Sequence, residues 1–322
     1  MSEVMRYHEA RARALRRELD ANPSLLVLGG SVSLPFNPGD GLLASHPDQI
    51  LLPPISEFAT TAAGIGAAIA GLRTLVPIST ASFMFYGWAP VVNEAANVRY
   101  LSGGAASAPV AFHIMAGSRR GGGAQHEHTA QAMLQNVPGL RVIAPGTPAG
   151  VDAAFHAALT GEDPTVIIDQ IQLGDYEGLV PGEPAEISGP TLLREGAGAM
   201  IISYSLTLQH ALTAAEVLAA DGTEVSVLDV PTLNPLPVEA LIAATGDHRA
   251  LLFVDESRAG ASPASHMLAR VLQARPLRRA RLLCTLDAPA PFATHLLDEI
   301  APTPERIAAE VRVLLADLAA AH

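Results

Sequence analysis

Lysine is absent from the 322 residues, and all twenty basic side chains are arginine. That excludes a Schiff-base lysine, a pyridoxal-phosphate lysine and a P-loop lysine. Cysteine occurs once, as Cys284, so neither an intrachain disulfide nor a cysteine-rich zinc site can form. Charged residues make up only 16% of the chain, with a formal net charge of −12, which argues against nucleic-acid and anionic-membrane surfaces as partners. Long apolar runs are also missing. The most membrane-like stretch, Ala62 to Leu72, is too short to span a bilayer and ends at Arg73. The Met-Ser-Glu start has no apolar signal-peptide segment, so a cytoplasmic protein is expected.

What is present is apolar material for a sizeable core: hydrophobic residues are 49% of the chain, and 322 residues suit two ordinary domains. Residues 4–20 have helical spacing and close at Asn22-Pro23. Short apolar runs then read as strands at Ser24–Leu28, Leu51 onward, Leu75–Ile78, Val110–Met115, Leu140–Ala144 and Thr165–Asp169. Helical segments alternate with them at Ala62–Arg73, Ala89–Leu101 (with Pro90 in its first turn) and Pro148–Leu159. Such alternation predicts an α/β fold with a parallel sheet. Residues 174–197 are rich in Gly, Pro and Glu, which predicts a linker. A second α/β unit follows, with strands at Ala199–Tyr204, Glu224–Leu228, Ala250–Asp255 and Arg281–Thr285. Its helices are expected at Thr207–Ala220 and Pro304–Ala320. The expected domains are residues 1–185 and 186–322.

The most informative segment is Pro54-Ile55-Ser56-Glu57, followed by Gly64-x-Gly66-Ala67-Ala68-x-Ala70-Gly71-Leu72-Arg73. The glycines do not form a dinucleotide fingerprint, because the third position is Ile69 and no acidic ribose ligand follows. Three further segments stand in order behind it. One is Asn93-x-Ala95-Ala96-x-x-Arg99-Tyr100-x-Ser102-Gly103-Gly104. Another is Gln125-His126 with Pro138 to Pro145. The third spans Leu228-Asp229, Thr232-Leu233, Val254-Asp255-Glu256 and Asp287-Ala288-Pro289. Together, from about residue 5 to about residue 315, these resemble the β-subunits of thiamine-diphosphate-dependent 2-oxo-acid dehydrogenases. The resemblance is to the pyruvate, branched-chain and acetoin type within the transketolase superfamily.

The resemblance implies a parallel-sheet thiamine-diphosphate pyrimidine-binding domain followed by a smaller transketolase C-terminal-type α/β domain. It also implies an oxidoreductase that decarboxylates a 2-oxo acid and passes on the acyl or aldehyde unit. Glu57 would bond the pyrimidine ring nitrogen N1′ and promote the imino tautomer that ionises the cofactor at C2. A buried glutamate with a raised pKa would suit that proton sharing. Without the resemblance, Glu57 reads as an acid at a helix start, favoured by the macrodipole. Ile55, Phe83 and Tyr86 fall among the expected cofactor contacts, although Phe83 equally suits core packing beside Phe85, Tyr86 and Trp88. His126 matches the histidine of the family's Gln-His-Ser-Gln segment, where it would orient the 2-oxo acid and move protons. His128 replaces that segment's glutamine, as a second polar group in the substrate channel or as a structural histidine. Ala158, Leu159, Gly161 and Asp163 match a stretch that would bind potassium, largely through backbone carbonyls. The bland alternative is a helix end with an acidic turn.

Gly39-Asp40-Gly41 reads as a turn, because no asparagine follows in residues 60–80 to complete a magnesium–diphosphate motif. Magnesium and diphosphate are therefore expected mainly on an α-subunit, in an α2β2 heterotetramer that would serve a lipoyl acyltransferase. Several positions depart from the family pattern: Gly30-Ser31 replaces an acidic pair, Tyr86 a glutamine, Ala89-Pro90 an Asp-Gln pair, and Pro231 an arginine. They keep two alternatives open: the C-terminal half of a two-piece transketolase moving ketol units, and a non-catalytic structural subunit.

Overall fold

The computed structural model describes residues 2–29, 41–116, 121–187, 189–276 and 279–320. Gly30-Ser31, Gly39-Asp40 and Arg119-Arg120 lie outside the described residues.

In chain order the described strands of the first half are β1 (Glu3–Arg6), β2 (Leu25–Leu28), β3 (Ile50–Leu51), β4 (Arg73–Ile78), β5 (Val110–Ala116), β6 (Arg141–Ile143), β7 (Thr165–Gln170) and β8 (Glu177–Val180). Those of the second half are β9 (Thr191–Arg194), β10 (Met200–Ser203), β11 (Ser226–Asp229), β12 (Thr232–Asn234), β13 (Ala250–Arg258) and β14 (Arg279–Thr285). The helices are α1 (Tyr7–Ala21), α2 (Leu42–Ser45), α3 (Glu57–Ile69), α4 (Val98–Leu101), α5 (Gln131–Gln135) and α6 (Pro148–Thr160). After them come α7 (Ser205–Ala220), α8 (Val238–Ala244), α9 (Pro263–Ala274), α10 (Thr294–Ile300) and α11 (Pro304–Ala319).

The first sheet has the order β12-β6-β7-β5-β4-β2-β3 and is parallel apart from β12. Strands β5 and β7 are buried along their whole length, as expected for central strands covered by helices on both faces. The chain leaves β2 in one direction toward β3 and resumes on its other side at β4. That reversal opens a crevice beyond the carboxyl ends of β2 and β4, where open α/β sheets place ligands. The second sheet, β14-β13-β10-β11-β9, is parallel except for β9. One apolar core runs across both sheets, joining Phe112, Ile114 and Val142 with Ile202, Tyr204, Leu228 and Phe253.

Helix α3 shows how local sequence sets the site. Pro53-Pro54 keep the approach extended, and Ser56 caps the helix, its Oγ accepting from the Ala59 N–H at 3.3 Å. Gly64 lets α3 lie directly on β4, because a Cβ there would stand 2.5 Å from Val76 Cγ2.

Several sequence expectations need correction. Residues 3–6 form an edge strand paired with β8, so the first helix begins at Tyr7. The stretch 174–197 is not a bare linker, because it holds β8 and β9. Helix α3 begins at Glu57 and ends at Ile69, leaving Arg73 to open β4. Strand β12 comes from beyond the expected linker yet completes the first sheet, where its antiparallel pairing extends the edge strand β6.

Candidate active site

The expected site residues gather at the carboxyl end of the first sheet, each carried by a segment that leaves a parallel strand. Glu57 follows β3 as the first residue of α3, in the turn where the exposed N–H groups favour a carboxylate. It lines a small cavity with Gly29, Thr60 and the β4 residues Val76, Pro77 and Ile78. The carboxylate is half-buried in this chain, not fully buried as expected, and no described residue pairs with it. Beside it Ile55 is 81% exposed and Phe58 57% exposed.

The segment after β4 forms a 3-10 turn, Ala81–Phe85, and then a π-helix at Pro90–Ala95. Gly87 lies against the first turn of α3. A Cβ there would stand 2.9 Å from Thr61 Cγ2 and 3.3 Å from the Glu57 carbonyl. Thr61 in turn donates its hydroxyl to that carbonyl at 2.7 Å. Phe83 packs edge-on against the His126 ring at 5.5 Å between centroids, and tilted against Tyr86 at 6.4 Å. Phe85 meets His128 edge-on at 5.8 Å. So Phe83, Tyr86 and His126 form one aromatic group, with Phe85 and His128 as a second pair, while Tyr86 remains 69% exposed.

This arrangement fits the pyrimidine end of thiamine diphosphate. An unpartnered carboxylate sits beside exposed apolar side chains and ring edges, which suits a planar heteroaromatic ring with a nitrogen to bond. The Thr80 and Ser82 hydroxyls, buried just past β4, also have no hydrogen-bond partner among the described residues.

The potassium positions lie elsewhere. Ala158, Leu159, Gly161 and Asp163 end α6 and lead into the amino end of β7, at the opposite end of the parallel strands from Glu57. The Gly161 carbonyl accepts from Arg73, and Asp163 pairs with Arg99 at 3.0 Å. Guanidinium groups thus already engage two of the four positions. Among the described residues, no group of three or more His, Cys, Asp or Glu side chains is placed to hold a metal ion.

The sequence reading missed two acids. Glu127 points away from the cleft, and its Oε1 accepts from the Gly122 N–H at 2.8 Å. Glu256, near the end of β13, accepts from Gln131 at 2.6 Å and Gln170 at 2.9 Å, which ties the two sheets together. Burial, with Asp255 alongside, pushes the Glu256 carboxyl up to about 7 against the pull of both amides. The Val254-Asp255-Glu256 motif was the available signal, but not what it would contact. Cys284 is buried, and burial pushes its thiol up to about 12, which leaves it unreactive.

Comparison with known proteins defines the class. Residues 3–174 match the family described as "Transketolase, pyrimidine binding domain", and residues 191–307 match "Transketolase, C-terminal domain". A solved structure described as a split-gene transketolase, inactive beta4 tetramer, shares the fold with a TM-score of 0.80 at 21% identity, covering 96% of this chain and 98% of its own. The chain belongs to the transketolase family.

Within that family it belongs with the β-subunits of the 2-oxo-acid dehydrogenase group. It is 30% identical to the acetoin:2,6-dichlorophenolindophenol oxidoreductase subunit beta of Cupriavidus necator, over 93% of this chain and 94% of that one. It is also 30% identical to the 2-oxoisovalerate dehydrogenase subunit beta of Bacillus subtilis, over 97% and 98% of the two chains. Identity to the pyruvate dehydrogenase E1 component subunit beta of Rickettsia felis is 29%, over 89% and 91%. The alternative of a two-piece transketolase is the weaker one, since these relatives outrank it in identity. Among the described residues, no helix is long and apolar enough to cross a membrane.

Proposed function

We propose that this chain is the β-subunit of an enzyme that decarboxylates a 2-oxo acid with thiamine diphosphate and is active with an α-subunit in an α2β2 assembly. The observation that carries the reading is the unpartnered Glu57 carboxylate at the start of α3, flanked by exposed Ile55, Phe58 and Tyr86. Relatives that are β-subunits of such enzymes support it. The boundary between a pyrimidine-binding and a C-terminal domain falls near residues 185–186 in this reading.

When bound, the cofactor supplies carbanion chemistry at C2. This chain's residues would hold and tune it. Glu57 shares a proton with ring nitrogen N1′. Ile55, Phe83 and Tyr86 hold the pyrimidine ring by apolar and edge contacts. His126, fixed against Phe83, faces the incoming 2-oxo acid and moves a proton during its conversion, with His128 as a second polar group at the channel. Magnesium and diphosphate belong mainly to the α-subunit, and a lipoyl acyltransferase is the expected acceptor complex.

Glu57→Gln tests the assignment. Glutamine is nearly isosteric, so assembly should survive, but an amide cannot share the proton. Exchange of the cofactor's C2 hydrogen for deuterium should slow by roughly 10²–10⁴-fold, the usual size of a general acid–base contribution. Exchange as fast as in the parent complex would remove Glu57 from this role.

A further inference from the structure

Residue 127 stands where the Gln-His-Ser-Gln segment of the resemblance carries a serine, and here it is a glutamate with a built environment. Its side chain is only 4% exposed. Its Oε1 accepts from two consecutive backbone N–H groups, Gly122 at 2.8 Å and Gly121 at 3.2 Å. The turn it holds is short of space at Gly122 and Gly123. A Cβ at Gly122 would stand 3.1 Å from both Glu127 Oε1 and His126 Cβ. Gly123 has φ +66°, and a Cβ there would lie 2.5 Å from the ring of Phe292, which comes from the second half of the chain. The Gly123 carbonyl accepts the His126 N–H at 3.1 Å. The glycine turn, the carboxylate and the His126 backbone therefore form one hydrogen-bonded unit docked on Phe292. Side chains alternate along it. His126 goes to Phe83, and His128 goes to Phe85. Glu127 goes to the other side, toward a cavity between the two sheets that Gln170 and Glu256 also line.

We propose that Glu127 is a positioning residue whose carboxylate closes the Gly121–Gly123 turn and thereby fixes the His126 imidazole at the mouth of the cleft. This rests on the reading of His126 as the group that handles the 2-oxo acid. A carboxylate suits the task because two N–H groups converge on one oxygen, and charge-assisted bonds to backbone N–H are short and strong. Glutamine keeps a neutral acceptor at the same reach, whereas alanine removes it and leaves two glycine N–H groups to water.

The test compares Glu127→Ala with Glu127→Gln in the full chain, alone and co-expressed with its α-partner. In the chain alone, Glu127→Ala is expected to speed amide exchange of the 121–126 segment by about tenfold or more, a local opening. It should also shift the His126 ring proton resonance, as the ring leaves the edge of Phe83. In the co-expressed pair, carbon dioxide release from pyruvate or 2-oxoisovalerate should fall by about tenfold, the penalty of a misplaced group. Exchange at cofactor C2 should stay at the parent rate, because Glu57 is untouched. Glu127→Gln should remain within about threefold of the parent in each measurement, since one acceptor oxygen remains. Unchanged amide exchange and an unmoved His126 resonance in Glu127→Ala would overturn the proposal. So would a Gln variant as damaged as the Ala variant. A parent pair that releases no carbon dioxide from either probe would count against the proposed function instead, and the exchange and resonance data would still decide the role of Glu127.

Discussion

Arg11, His113 and Asp169 meet beneath the first sheet, where Asp169 Oδ2 accepts from Arg11 at 2.6 Å and His113 at 2.9 Å. Burial pushes the Asp169 carboxyl up, but the adjacent guanidinium and the imidazole N–H outweigh it and hold the group well below the ordinary carboxylate range. Burial also lowers His113 below the usual histidine value, despite the opposing pull of Asp169. Both shifts act in the same direction. A depressed carboxyl contributes stability above its unfolded pKa, about 3.9, and that contribution is lost as pH falls through the folded value. A depressed histidine lets the unfolded state take up a proton first, so stability also falls below about pH 6.5. The urea midpoint of the parent relative to His113→Gln, which cannot titrate, should therefore drop as pH is lowered from 7 to 5, and the Asp169 contribution should be lost only below about pH 4. Asp169→Asn should cost roughly 3–5 kcal/mol at pH 7, because it leaves the Arg11 charge buried against an amide. A variant as stable as the parent would show that Arg11 is satisfied without Asp169.

Helix α3 carries the case at the level of elements, because its start sets Glu57 and its packing sets the cleft. Gly64 faces Val76, a fully buried β4 residue, whereas nothing lies within 4 Å of a Cβ at Gly66. Alanine improves helix propensity by about 1 kcal/mol over glycine at either position. At Gly64, overpacking costs typically about 1–3 kcal/mol and should win, so Gly64→Ala is expected to lower the thermal midpoint of the chain. Gly66→Ala should raise it. The same order in both variants would mean that α3 does not sit on β4 as described.

Elements with strong local signals were legible in the sequence. Val110–Met115 and Thr165–Asp169 are apolar runs with no turn residues, and they became the buried β5 and β7. Pro148 announced the first turn of α6. Strand β1 was not legible, because Glu3–Arg6 is mostly exposed and exists only through pairing with β8, far away in sequence. Strand β12 is three residues beside a proline and gains its identity only from the edge of β6. The site divided in the same way. Ile55 and Glu57 were marked by the Pro-Ile-Ser-Glu motif, while the Ser56 cap that sets the start of α3 was not read from it. The meeting of Phe83 with His126, and the turn held by Glu127, depend on two loops leaving different strands.

Between the two sheets, Glu256 is a buried contact that responds to pH. Its carboxyl, pushed up to about 7 by burial, holds a proton more tightly when folded than when unfolded. Its contribution is thus fully present below about pH 4.5 and is lost as pH rises through about 7. Glu256→Gln keeps the shape and cannot titrate. The stability of the parent relative to this variant should fall between pH 5 and pH 8, measured by urea denaturation at each pH. A constant difference would place Glu256 outside this linkage.

In the proposed function this chain supplies only the pyrimidine half of a shared cofactor site. Titration calorimetry of thiamine diphosphate with magnesium, on the chain alone and on the chain co-expressed with its α-partner, tests it most directly. Weak or undetectable binding is expected of the chain alone, with a clear, magnesium-dependent gain in affinity when the partner is present. Magnesium-dependent binding by the chain alone, as tight as that of the pair, would contradict it.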